Sequence, residues 1–381
     1  MIRDGNDRLQ ATGDVTVCLP TWRNFNIAAF QCGLYEAQDV LVETRSAELV
    51  APLARPGLRF RETVQRLLLY RDPTNRLMFV NPGLHPVQLQ RSYPLLICVC
   101  QSYHDLLYIN AIHDWRKRAE TTLCWIDELW AASVHRYRNW LKAIDRFDHI
   151  CVGSLGTVEA LSRLLGRTCH WVPAGVDTLR FSPYPDPPLR SIDVYSVGRR
   201  WEGMHREFLK LAAQKQIFYV HDTFQELSTM KPYDHREHRD LYANVAKRSR
   251  CYVVAPAKMN LPSHTEGQVD IGYRYFEGAA AGSIMIGQAP TSEGYRRLFD
   301  WSQATVEVQP DGTDTVSTLR KFREDPTLSD RIHRTNAAQS LRRHDWIYRW
   351  SEIFRIAGVP PTPGMRAREQ RLEALAAAIP S

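Results

Sequence analysis

The sequence predicts an α/β protein built from two parallel sheets covered by helices. Short runs of Val, Ile, Leu, Cys and aromatic residues alternate with longer stretches of helical character along all 381 residues. At roughly 150 residues per domain, that length calls for two to three domains. A Pro-dense stretch from Gly175 to Pro188 interrupts the alternation, donates few backbone hydrogen bonds and continues neither sheet, so it separates two βα series. The composition agrees: 44% hydrophobic and 24% charged, with mean hydropathy −0.38, excludes disordered, collagen-like and coiled-coil chains.

In the first series, strands are predicted at 15–19, 40–43, 77–80, 95–100, 122–126, 149–152 and 170–172, with helices at 24–35, 60–70, 128–144 and 157–165. The second series places strands at 192–197, 217–221, 251–255, 283–286 and 305–308. Its helices fall near 204–215, 235–249, 273–281, 313–324 and 327–342. Beyond them, Trp346, Ile347, Trp350, Ile353 and Phe354 form a helical apolar stripe that must pack on something, and a last helix runs from Arg366 to Ala378. The expected division is 1–175, 176–343 and 344–381.

The eight cysteines fall mostly in apolar, strand-like segments with no C-x-x-C pair, which reads as buried free thiols. The longest apolar run, Tyr93 to Cys100, is far short of the ~20 residues of a membrane-spanning helix, and residues 1–14 lack a signal-peptide core. A cytoplasmic protein, at most peripheral to the inner membrane surface, is expected. A net charge of +7 favours anionic partners: nucleotide diphosphates, anionic lipid surfaces or nucleic acid.

Open α/β sheets bind ligands beyond the carboxyl ends of their strands, so the strand-to-helix turns are where chemistry is sought. The segment from Gly267 to Gly287 is the strongest of these. A glycine-containing loop feeds a short helix with an Ala/Gly face, whose first-turn N–H groups offer a phosphate site. Glu277 in that helix needs a partner. A ribose diol satisfies it, and so does Arg274 three residues earlier. The pair His235-x-x-His238 has metal-ligand spacing, but its charged surroundings read as a solvated helix face. Asp127 and Glu128 follow a first-series strand, where Asp127 either meets an acceptor or starts a helix, and Ser154 reads as an N-cap.

Val172-Pro-Ala-Gly-Val-Asp-Thr-Leu-Arg-Phe-Ser-Pro183 resembles the P-x-G-V-D-x-x-x-F-x-P interdomain segment of the group 1 (family 4) glycosyltransferases. Val197-Gly198-Arg199 is similar to their V-G-R turn, and Phe276-Glu277-Gly-Ala-Ala-Ala-Gly282 to their nucleotide-sugar helix. His344-Asp-Trp-Ile-Tyr-Arg349 resembles the C-terminal helix of the spore-maturation-type branch. The resemblance implies the GT-B fold: two Rossmann-like, doubly wound domains facing a cleft, with a C-terminal helix returning to the first domain. It also implies metal-independent, cofactor-free transfer, with retention, from a nucleotide-diphospho-sugar such as a UDP-sugar to an unidentified small-molecule, glycan or lipid-linked acceptor. The donor would be held by Arg199, Arg200, Glu266, Asp270, Gly272, Tyr273, Arg274 and Glu277, with Arg199, His205 and Asp127 as the catalytic candidates.

Two positions depart from the family. Met204 stands where members carry a lysine, and Val269 where they place a glutamate, with Asp270 or Glu266 as substitutes. Trp22-Arg23-Asn24 occupies the place of a donor-contacting glycine-rich loop but holds no glycine. The missing lysine and glutamate keep open a nucleotide-sugar-binding protein without turnover, and the basic charge keeps open a glycosyltransferase acting on nucleic acid.

Overall fold

The structure, a computed structural model, describes residues 15–69, 71, 76–223 and 230–380. The first half of the chain forms β1 (Val17–Pro20), β2 (Ala47–Val50), β3 (Val87–Gln88), β4 (Tyr93–Cys100), β5 (Ile112–His113), β6 (Ala119–Ile126), β7 (His149–Val152) and β8 (His170–Trp171). Six of these make a parallel sheet in the order β2-β1-β4-β6-β7-β8, and β3 pairs with β5 apart from it. The second half forms β9 (Ile192–Ser196), β10 (Tyr219–His221), β11 (Ser249–Val254), β12 (Ile284–Gly287) and β13 (Val306–Glu307), a parallel sheet ordered β10-β9-β11-β12-β13. Both orders reverse direction, between β1 and β4 and between β9 and β11. The carboxyl ends there open a crevice.

Period-2 alternation gives the central strands two buried faces. Along β4, Leu95, Ile97 and Val99 face a core shared with the second lobe, while Leu96, Cys98 and Cys100 face the outer helices. In β11, Tyr252 and Val254 join the shared core, and Cys251 and Val253 face outward. All eight cysteines are buried free thiols, as their apolar settings predict.

Four predicted elements differ. Residues 40–43 are not a strand but the last turn of a helix, Cys32–Glu43, which also replaces the helix expected at 24–35. That helix packs against its own sheet on one side and the second lobe on the other. It is therefore buried all round, and no amphipathic stripe marks it. Residues 77–80 fall largely in a 3₁₀ turn, Arg76–Phe79, where the Leu77 and Val80 carbonyls accept from Gln65 Nε2 at 2.7 and 2.9 Å rather than from a neighbouring strand. The helix expected at 128–144 breaks at Tyr137 into two short pieces and a 3₁₀ turn, with the Tyr137 ring stacked on Tyr103 at 4.2 Å.

The chain passes between the lobes twice, side by side. Val176 N–H donates to the His344 carbonyl (3.0 Å), and Trp346 N–H donates to the Val176 carbonyl (3.1 Å). Gly175 permits this approach, since a Cβ there would lie 2.9 Å from the Trp346 ring. Asp345 accepts from the Thr178 N–H and hydroxyl, and Arg368 ties Asp345 to Asp177. The helix Trp346–Ala357 then lies on the first lobe, where the Trp350 indole donates to the Ala37 carbonyl at 2.8 Å and Trp125 meets both Trp346 and Trp350 edge to face. Among the described residues no helix is long and apolar enough to cross a membrane.

Trp350 is fully buried where the returning helix meets the first lobe. Trp350→Ala is expected to cost about 3–5 kcal/mol, read as a lower midpoint of denaturant unfolding; an unchanged midpoint would show that the returning helix contributes nothing to the first lobe.

Candidate functional site

A cleft of about 220 Å³ opens between the carboxyl ends of the two sheets. The first lobe contributes Gln101 after β4, Asp127 and Glu128 after β6, Gly153 after β7, and Ala29, Phe30 and Gly33 from the turn entering the helix Cys32–Glu43. The second lobe contributes Gly198 and Arg199 after β9, Ala255 to Lys258 after β11, and Asp270 to Arg274 at the start of the helix Tyr273–Ala280. No side chain caps that helix at Gly272, so its first N–H groups are left to the cleft.

Of the site residues predicted from sequence, Arg199, Asp127, Asp270, Gly272, Tyr273, Arg274 and Glu277 line this cleft, whereas Arg200, His205 and Glu266 do not. Arg200 is drawn to Asp222 (3.2 Å). His205 Nδ1 pairs with the Tyr219 hydroxyl (2.8 Å), and Glu266 is an exposed, left-handed residue ending a short helix. Met204, at the family's lysine position, is fully buried in the outer core of the second lobe. The lysine that does line the cleft is Lys258, ion-paired with Glu128 and lying over the Trp130 ring. Sequence reasoning passed over it, although its position just beyond β11 was the available signal.

Glu277 is fully buried, and its carboxylate accepts from Arg239, Arg274 and the Tyr252 hydroxyl. Burial works against its charge, yet the Arg274 and Arg239 guanidiniums hold its pKa down to about 2. Arg239 also donates to Glu36 of the first lobe at 2.8 and 3.2 Å, and Glu36 accepts from the Asp177 N–H and the Trp346 indole. Asp39, one turn beyond Glu36, takes His235 (2.7 Å), Arg236 (2.8 Å) and its own lobe's Arg23 (2.7 Å). The charged run read as a solvated face is therefore an interlobe contact: His235 is buried, and His238 packs on Tyr242. Among the described residues no cluster of three or more His, Cys, Asp or Glu side chains is arranged to hold a metal ion.

On the first-lobe wall, burial and then the Glu128 charge push the Asp127 carboxyl up to about 7, against the Tyr273 phenol and the Gln101 amide. Asp127 caps no helix; Gln101 Nε2 donates to it at 3.0 Å. Burial also raises Asp270. Trp22 is buried and Arg23 is bound to Asp39, so the wall where a glycine-rich loop was sought is made instead by Ala29, Phe30 and Gly33. Gly33 lets the Tyr273 ring approach, since a Cβ would lie 2.6 Å from it. Ser154 stands at the N-cap of the 3₁₀ turn Leu155–Thr157, but its side chain caps nothing there; its hydroxyl accepts from Gln268 (2.6 Å), whose side-chain carbonyl oxygen accepts from Ala131 N–H, closing a second bridge between the lobes. A further cavity of about 230 Å³ in the first lobe shares Phe30 and Gln101 with the cleft and is lined by Glu62, Arg66, His104, Asp105 and Tyr108.

Arg239→Met leaves Glu36 and Glu277 buried without their common cation, and a loss of about 3–5 kcal/mol is expected. Wild-type stability carries a matching pH signature. Glu277 is depressed from 4.5 to about 2 on folding, so its contribution is complete above about pH 4.5 and is lost as pH falls towards 2. Thermal melts from neutral pH down to pH 3 check both, and an acid limb equally steep in Glu277→Gln would show that this carboxylate is not the group titrating.

Residues 189–355 match the family model described as "Glycosyl transferase-like". No curated protein matches the chain. A solved α-glucosyltransferase in complex with UDP and a 13-mer DNA containing a HMU base is 11% identical, with a TM-score of 0.53 over 91% of this chain and 100% of that one. An α-glucosyltransferase in complex with UDP-glucose and DNA containing an abasic site is 14% identical, with a TM-score of 0.55 over 91% and 100%. The N-terminal domain of the Candida albicans trehalose-6-phosphate phosphatase is 10% identical, with a TM-score of 0.50 over 91% and 97%. The chain has the GT-B architecture of two Rossmann-like lobes, and residues 189–355 are similar to the glycosyl transferase-like family.

Proposed function

We propose that the protein transfers a sugar, with retention, from a nucleotide-diphospho-sugar bound to the second lobe to an acceptor hydroxyl presented by the first. The observation that carries this reading is the convergence of Arg199, Lys258 and an uncapped helix N-terminus on one wall of a cleft whose other wall holds Asp127. Cations and fixed N–H dipoles on that wall suit a diphosphate, and their effect grows as the bond from the anomeric carbon to phosphate oxygen breaks and charge collects on the leaving group. The acceptor oxygen bonds to the same face of the anomeric carbon, and its proton passes to the departing phosphate. Free nucleoside diphosphate is left behind.

Lys258 supplies the charge that Met204 lacks, exchanging Glu128 for phosphate. Arg274 and Glu277 act as a unit, the carboxylate carrying the guanidinium and sharing its remaining capacity with a ribose diol. Asp127 orients the acceptor hydroxyl, and Asp270 takes the place of the family's missing glutamate. A second reading, transfer to a modified base in nucleic acid, draws on the +7 charge and on the DNA held by the solved α-glucosyltransferases. It predicts activity on duplex DNA that falls steeply with salt.

Calorimetry with UDP, GDP, ADP and TDP, followed by turnover with the sugar of the nucleotide that binds, tests the proposal; a folded protein that binds none of them sinks it. Arg199→Ala and Lys258→Ala are each expected to lower turnover by about 10²–10³-fold, with a smaller loss of nucleotide affinity. The Asp127 carboxyl, pushed up to about 7, should give the wild-type rate a rise with pH near neutrality, and Asp127→Asn should lose that inflection. An unchanged pH profile in Asp127→Asn would remove Asp127 from the reacting centre.

A further inference from the structure

The helix Leu58–Leu69 is amphipathic in the wrong direction for a part of a folded core. Its buried positions are Leu58, Glu62, Gln65 and Leu69, one face at helical spacing that includes two polar side chains. The opposite face is apolar and exposed: Phe60 at 75%, Val64 at 37%, Leu67 at 63% and Leu68 at 49%. The neighbouring turns add Leu53, Phe79 and Val80, each about half exposed. They adjoin the helix, since Gln65 holds the Leu77 and Val80 carbonyls and the Arg61 side chain reaches Gly83, which receives Arg55 N–H on its carbonyl. Water contact with a face of this size is costly, so something covers it.

Charge identifies the occupant. Between residues 51 and 80 the sequence carries six arginines, at 55, 59, 61, 66, 71 and 76, against Glu62 and Asp72, and Glu62 is buried against Arg66 and Tyr108. Arg59 and Arg66 lie on one flank of the apolar stripe and Arg61 on the other. An apolar stripe bordered by guanidiniums on an element already anchored by its opposite face is the pattern of a helix lying in the headgroup region of an anionic bilayer. A second copy of the chain would bring its own arginines against these. A nucleic acid would use the arginines and leave Phe60, Leu67 and Leu68 in water.

We infer that the helix Leu58–Leu69 with its adjoining turns docks the first lobe on an anionic lipid surface. The surface bears on the reaction, because Leu58, Arg59, Glu62 and Arg66 of the same helix line the first-lobe cavity that shares Phe30 and Gln101 with the cleft. Resting on the glycosyl-transfer reading, this makes the acceptor one that is presented from the lipid surface.

Flotation of the full chain with phosphatidylcholine vesicles containing phosphatidylglycerol, and with vesicles of phosphatidylcholine alone, tests the docking without any sugar donor, so its outcome is independent of turnover. Binding is expected only to the anionic vesicles and should weaken with salt. Phe60→Ser with Leu67→Ser is expected to lower it by about tenfold at an unchanged melting temperature, and Arg61→Glu with Arg55→Glu should do the same. Absence of vesicle binding, equal binding to both vesicle types, or binding indifferent to both double variants overturns the inference. So does a dimer in light scattering that the Phe60→Ser, Leu67→Ser variant dissolves, which would make the occupant a second copy. Duplex DNA that binds in place of the vesicles and is lost with Arg61→Glu and Arg55→Glu would assign the face to nucleic acid.

Discussion

Arg239 is the residue on which the relation of the two lobes turns. Its guanidinium is almost completely buried between Glu36 of the first lobe and Glu277 of the second, and Arg274 completes an alternating chain of two cations and two anions. None of the four charges would be tolerated alone at that depth, so each lobe supplies what makes the other's buried carboxylate admissible. The chain ends at Arg274, on the wall of the cleft. A ligand that draws on Arg274 or Glu277 therefore draws on the same network that sets the distance between the lobes, which couples occupancy to their relative position.

The second lobe was the more legible from sequence, and the reason is packing. Around strands β9 and β11 the helices Glu202–Ala213 and His235–Lys247 bury one face and wet the other, so period and length mark this series clearly. The first lobe hid its opening βα unit because the helix Cys32–Glu43 is enclosed by its own sheet, by the helix His235–Lys247 and by the returning helix. Its closing run Val40-Leu41-Val42 then looks like a strand. The run from Asp234 to Asp240 misled for the complementary reason: a dense set of charges is normally solvated, and here half of it faces carboxylates on another lobe.

At the cleft, the sequence exposed the residues tied to a motif and concealed those tied to topology. Arg199, Gly272 and Glu277 stand in recognisable segments, and all three line the cleft. Lys258, Gln268 and Gly33 carry no local signature. They matter because β11 ends beside β9 at the switch of strand order, because Gln268 reaches Ser154 across the lobes, and because Tyr273 leaves no room for a side chain at residue 33. The loss of a lysine at position 204 reads as a defect in one dimension; in three, a lysine from the neighbouring strand end stands in the cleft.

The return of the chain to its first lobe has a consequence for synthesis. Residues 17 to 171 contain every strand of the first sheet, yet one face of that sheet and the Trp125 ring are covered by Trp346 and Trp350, made some two hundred residues later. Until then the nascent first lobe carries an uncovered apolar groove beside the Ala37 carbonyl, and Glu36 has neither Arg239 nor the Trp346 indole to bond. The first lobe is thus translated before the second yet is completed only once Trp346 and Trp350 have been made.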